Sequence, residues 1–275
     1  MTGRPDPAAL LTLLDRVESL PVLAEHHLLL SAALEDDSVT LEDAAMLLER
    51  DPSLAAHVLK AAARAPATGP GTPMKIAGAA QQLGLPVVAR EIATLEVVRG
   101  FGIPYDFDIQ VYLDHALNVA VLAEHLATAE GADPDAAYLA GLLHELGAVA
   151  LARFLPDTFQ HLLAGKRGHS LHAACLERFG CHPTELSARL LFAWRLPDVP
   201  VRALQQLTSP EPGHADAAGR VADVVHQAHK ICEAHGGAFH WDTLPDRTGS
   251  HRARQGHGGV SGGFNPLDTT MTKYH

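Results

Sequence analysis

The chain has 275 residues, of which 47% are apolar and 19% charged, enough to bury a sizeable core as one large domain or two small ones. A formal charge of −11, with no basic run and no aromatic–basic interleaving, argues against direct nucleic-acid binding, which needs a positive footprint. Three cysteines, Cys175, Cys181 and Cys232, lack a CxxC spacing and fit a reducing cytoplasm better than a disulfide framework. Asp15 and Glu18 interrupt the early Leu-rich stretch, so no signal-peptide core is read there, and no uncharged apolar run of about 18 residues is present to span a membrane.

Helix signals then follow one another along the chain. Thr40 is placed to cap a helix with Asp43 three residues on, a capping-box variant, and Leu41, Ala44, Ala45 and Leu48 share one face. Asp51-Pro52 pairs an N-cap with proline at the first helical position, and the helix it opens, Pro52 to Arg64, places Leu54, Val58, Leu59 and Ala62 inward. Residues 65–73 read as a Pro/Gly loop. Helices are expected over 73–83 and 86–99, parted by Gly84, and a connector over 101–107. The second block predicts a long helix over 108–129, then helices over 133–154, 156–165, 169–179, 182–194, 197–207 and 214–234, with a loop over 208–213. No segment alternates with period two, so no strands are expected and the fold class is all-α. From Gly236 to His275 the composition turns to Gly and His without periodicity, and this tail is expected to be disordered.

The most informative of these segments is AYLAGLLHELGAVALARFL, starting at Ala137. Leu139, Leu143, Leu146 and Ala150 form one face, and further apolar residues widen it on both sides. A helix apolar over so much of its circumference belongs in the core. Within it sit His144 and Glu145, titratable groups that are costly to bury without partners.

Taken together, LPVL (from Leu20), DPSLAAHVLKAA (from Asp51), AAQQLGLPVV (from Ala79), DHALNVAVLAEHLA (from Asp114), AYLAGLLHELGAVAL (from Ala137), the segment from Glu177 to Pro197 and RVADVV (from Arg220) resemble in order and spacing an HDOD domain. That family comprises signalling relatives of the HD-domain metal phosphohydrolases. The resemblance covers roughly residues 14–235. It implies a helical N-terminal half (about 14–100) packed on an HD-like bundle (about 108–235). The loop after the Asp51 helix departs from the family in having Ala62-Ala63 where an alanine–asparagine pair is usual. The active enzymes carry a His…His-Asp…Asp metal set. By position His115, His144 and Asp223 match three of its members, while Glu145 stands at the second-motif aspartate. Additional histidines of two-metal relatives would fall near His182 and near residues 204–207, where this chain has Gln205-Gln206; glutamine lacks the imidazole nitrogen such metals prefer.

Imidazoles and carboxylates suit a divalent transition metal. Glu for Asp lengthens the side chain by one methylene, and Asp223 lies nearly opposite the Val221/Val224/Val225/Ala228 stripe. The expectation is therefore a degenerate metal site at His115, His144, Glu145 and Asp223, with no catalytic residue and no resident cofactor; if one binds, it is a divalent transition metal. A three-residue series, Asp223, His226, His229, Cys232 and His235, drifts around the helix by about 60° per step, so only neighbouring pairs could chelate, and a polar helix face is the plainer reading. His169, His172 and Cys175 recur in the same way. The thiols are expected to be idle. The sequence reading is thus a non-enzymatic, cytoplasmic regulatory protein that binds a partner protein or a small signal such as a cyclic dinucleotide, without direct nucleic-acid or membrane binding. The alternative is an HD-class phosphohydrolase acting on a nucleotide phosphoester, with His115, His144 and Asp223 as ligands and Glu145 as ligand or base.

Overall fold

Helix-start chemistry organises the first half of the chain. The computed structural model describes residues 17, 20–36, 38–66, 73–95, 97–98, 109–157, 159, 171–208 and 216–234. Helix α1 (Ala24–Leu34) precedes α2 (Leu41–Leu48), whose Thr40 and Asp43 form the expected reciprocal capping box. Helix α3 (Pro52–Arg64) is capped by Asp51, whose Oδ1 accepts from the Ser53 amide at 2.8 Å. Asp51 is itself buried, and its other oxygen accepts from the Leu23 amide at 3.2 Å, so one carboxylate serves both a helix start and the preceding chain. Helices α4 (Ile76–Leu83) and α5 (Leu85–Ala93) meet at Gly84.

One local expectation is corrected here. Helix α5 stops at Ala93, well before residue 99, and the chain then adopts a short extended segment. Val97–Val98 (β2) pairs in parallel with Val22–Leu23 (β1), in the register Val22 with Val97 and Leu23 with Val98. Two-residue strands are too short to show an alternating pattern, which is why no strand was expected here.

The second half consists of α6 (Ile109–Glu130), α7 (Pro134–Leu143), α8 (Leu146–Phe154), α9 (Leu171–Phe179), α10 (Pro183–Ala193), α11 (Asp198–Leu207) and α12 (Ala217–Ala234). Helices α6, α7 and α12 pack on one another, and α10 packs on α8. Of the helix expected over 156–165, Pro156, Asp157 and Phe159 are helical, the Phe159 amide donating to the Leu155 carbonyl at 2.8 Å, while 158, 160–165 and the tail from 236 lie outside the described residues. The segment Pro134–Phe154 is long and apolar enough to cross a membrane by composition, yet 89% of its most apolar window is buried inside the fold. It is a core segment, as its apolar circumference predicted.

One apolar cluster runs through both halves. Polar contacts also cross between them: the Trp194 indole N–H donates to the Val17 carbonyl at 2.9 Å, Lys75 pairs with Asp135 at 3.1 Å, and the Lys60 ammonium lies 5.1 Å from the Trp194 ring centre.

A buried histidine–glutamate centre

The helix expected to run without interruption through His144-Glu145 breaks at that pair, and the break builds the site. Leu143 ends α7 and Leu146 begins α8, with Glu145 at φ −107°, ψ 8°. The cause is a side chain inserted into the helical ladder. The Gly147 amide donates to Ser187 Oγ of α10 at 2.8 Å, and that hydroxyl donates to the His144 carbonyl at 2.7 Å. Two backbone groups at the break are thereby satisfied by one hydroxyl from the neighbouring helix. Gly147 makes this approach possible: a Cβ there would lie 2.0 Å from the Pro183 carbonyl oxygen. Gly141 plays a related part against α6, where a Cβ would come within 2.8 Å of Ala120 Cα.

Three elements converge at the break. Helix α6 supplies His115, the α7–α8 junction supplies His144 and Glu145, and α12 supplies His229. Their four candidate ligand atoms all lie within 4.8 Å of one another. His229 Nδ1 is 3.3 Å from His115 Nε2 and 3.4 Å from His144 Nε2. Glu145 Oε1 is 3.6 Å from His144 Nε2 and 3.8 Å from His115 Nε2. Exposure is 1% at His115, 0% at His144, 4% at Glu145 and 0% at His229, so the centre is sealed from solvent.

The protonation pattern follows from the contacts. His144 Nδ1 donates to the Gly141 carbonyl at 2.6 Å, which leaves the Nε2 lone pair turned to the centre. Burial, followed by the neighbouring His229 and His115 rings, holds the His144 pKa well below the usual histidine range, so its imidazole is neutral at pH 7. Neither carboxylate oxygen of Glu145 accepts a hydrogen bond among the described residues. An ionised carboxylate so placed is costly unless a positive charge offsets it.

A tetrahedral ion with bonds of about 2.0–2.2 Å has ligand–ligand edges of about 3.3–3.6 Å. The spacings of 3.3, 3.4, 3.6 and 3.8 Å between these ligand atoms fall on or close to that range. The backbone-anchored His144 ring also has the outer hydrogen bond that orients a metal-binding imidazole. The residues present therefore fit a divalent transition metal, and a possible metal-binding His/Glu group exists in this fold.

Of the four positions singled out in the sequence, His115, His144 and Glu145 come together and Asp223 stands outside the group. Asp223 is half-buried on α12, six residues before His229. Six residues turn a helix by 600°, which leaves the two side chains about 120° apart. His229 was legible only as a member of the three-residue series. The stronger signal was its four-residue spacing from Val225 and eight from Val221, which continues the buried stripe of α12. The histidine positions of two-metal relatives supply no further ligand to this group. His182 sits at the start of α10, where its amide donates to Glu185 at 2.8 Å; Gln205 is exposed and Gln206 half-buried. His169 and the His172 side chain lie outside the described residues. Cys175 and Cys181 are buried, and burial raises both thiols, Cys181 to about 11.

Apart from the β1–β2 pair, the described residues build a helical protein with a buried His/Glu centre at the junction of two core helices. The HDOD domain profile matches residues 20–210, and the chain belongs to the HDOD family. Among solved structures, it is similar to the MmoQ response regulator from Methylococcus capsulatus str. Bath, at 28% identity and a TM-score of 0.68, covering 79% of this chain and 87% of that one. A virulence factor (cj0248) from Campylobacter jejuni subsp. jejuni shares the fold at 19% identity and a TM-score of 0.59, covering 85% of this chain and 91% of that one. Comparison with curated proteins finds no match.

Proposed function

We propose that this chain is a non-catalytic, cytoplasmic signalling module that acts by binding a partner protein or a small signal such as a cyclic dinucleotide. The observation that carries this reading is the closure of the His/Glu centre. Hydrolysis at a metal needs an open coordination position for an activated water and a path for the phosphoester. Here three imidazoles and a carboxylate supply four protein ligands at a centre no more than 4% exposed, the arrangement of a structural site. Family membership and the likeness to a response regulator support a role in signalling.

In this reading His115, His144, Glu145 and His229 hold a divalent transition metal, zinc being the ion best matched to a closed nitrogen/oxygen set. The ion would neutralise the Glu145 carboxylate and tie α6, the α7–α8 junction and α12 together. The second reading, an HD-class phosphohydrolase, draws its support from the convergence of His115, His144 and Glu145.

The deciding experiment has two arms. Metal content of protein purified without a polyhistidine tag is expected near one ion per chain, lost in His229→Ala. Turnover of nucleoside monophosphates, cyclic dinucleotides and generic phosphodiesters, with Mn²⁺, Ni²⁺, Fe²⁺ or Zn²⁺ added, is expected to be absent. Metal-dependent turnover abolished by His144→Ala would establish the hydrolase instead.

A further inference from the structure

Helix α1 is apolar on the side it turns to solvent as well as on the side it buries. Leu30 is buried, while Leu28 and Leu29 are 66% and 51% exposed and Ala32, one turn on, is exposed with them. Exposed leucines grouped on one helix face mark a contact surface. Glu25, one turn before the leucines, and Glu35, one turn after Ala32, are exposed, and neither makes an ion pair among the described residues. The surrounding stretch, residues 17–49, holds eight carboxylates and no Lys or Arg. This face is an apolar stripe with an acidic surround.

The opposite combination stands at the end of α10. Phe192 is 71% exposed, and Arg189, one turn before it on the same face, is exposed as well. Arg195 closes the helix. Its amide donates to the Phe192 carbonyl at 3.0 Å and the Leu196 amide donates to the Leu191 carbonyl at 3.0 Å, the helix ending whose left-handed residue is normally glycine. Arg195 takes that place at φ 61° and is exposed. An arginine held in a conformation that favours glycine points to a use for its side chain. Neither Arg189 nor Arg195 makes an ion pair among the described residues. The carboxylates before and after them in sequence are engaged elsewhere: Glu185 accepts from the His182 amide at 2.8 Å, and Asp198 lies 3.7 Å from Arg202.

We infer that these two surfaces bind each other between copies of this chain, with Phe192 of one copy on the Leu28/Leu29/Ala32 stripe of the second and Arg189 and Arg195 facing Glu25 and Glu35. Two chains that each carry −11 repel overall, so a specific contact between them depends on local opposition of charge. Aromatic and arginine side chains are also the ones that dominate interface energies. The inference goes beyond the binding-module reading and does not depend on the His/Glu centre, so the metal and turnover experiments and the one below fail separately.

The test is sedimentation of the full chain at rising concentration, comparing the parent with Leu28→Arg and Phe192→Glu, while circular dichroism checks that helicity is kept. The parent is expected to rise above the mass of one 29.2 kDa chain. Each variant is expected to need about tenfold more protein, or beyond, for the same rise. A 1:1 mixture of the two variants should regain a two-chain species, because each supplies the surface the other has lost. Added salt should weaken the association, since the charges are exposed. Glu25→Lys and Arg189→Glu, mixed in the same way, repeat the test if either apolar substitution alters helicity. A parent that stays at one chain throughout would overturn the self-contact. Association lost in one variant only, or not regained in the mixture, would overturn the pairing of these two surfaces.

Discussion

Glu145 shows how one side chain can be readable in the sequence while its role is not. Its place in an apolar segment beside His144 marked a buried polar pair, and the structure puts that pair at the centre of the second half. What the sequence could not supply was the fourth member. Asp223 matched by position, but α12 turns His229 inward instead, because His229 prolongs the Val221/Val225 face. Replacing Glu145 by Gln removes the charge but keeps the volume; metal affinity is expected to fall at least about tenfold, measured by competition with a chelating dye. The thiols give a pH prediction. The folded chain retains the Cys181 proton up to about 11, whereas an unfolded chain releases it near 9. The raised value stabilises the fold fully below the unfolded value, and this contribution is lost as pH rises through the window from about 9 to about 11. Urea midpoints measured across that window should fall less steeply in Cys181→Ala than in the parent.

At the scale of elements, the helix starts were the most legible features. Thr40, Asp51 and Asp133 all accept hydrogen bonds from the first turns of their helices. Asp51→Ala should cost about 1–3 kcal/mol, since it removes the cap of α3 and leaves the Leu23 amide without its carboxylate partner. The break between α7 and α8 was hidden, because its cause lies 40 residues away at Ser187. Periodicity reports only which side chains face the core, and Leu139 to Ala152 are buried on both sides of the break. Gly147→Ala is expected to lower stability by about 3 kcal/mol or more in urea denaturation, because its methyl meets backbone of α10 rather than a movable side chain. Ser187→Ala should cost less, about 1–3 kcal/mol, by leaving the diverted amide unsatisfied.

Across the whole molecule, the order of amphipathic segments carried the all-α architecture and the family, since each segment's apolar face must find another. The β1–β2 pairing escaped notice because main-chain bonds between distant dipeptides leave no side-chain signature. Leu143, fully buried at the end of α7, sits in the continuous core, and Leu143→Ala should cost about 2–5 kcal/mol, read as a shift in the urea midpoint. The His/Glu centre also has a meaning for the order of events in folding. It joins His115 to a residue 114 positions later. Closing so long a loop costs configurational entropy that an ion seated there would recover at a single point. On a ribosome the N-terminal lobe and α6 to α8 emerge first, and until α12 has followed them the centre has three of its four groups. A cation held at that place would therefore act as a finishing clasp, taken up when the last helix docks and released when it lifts away.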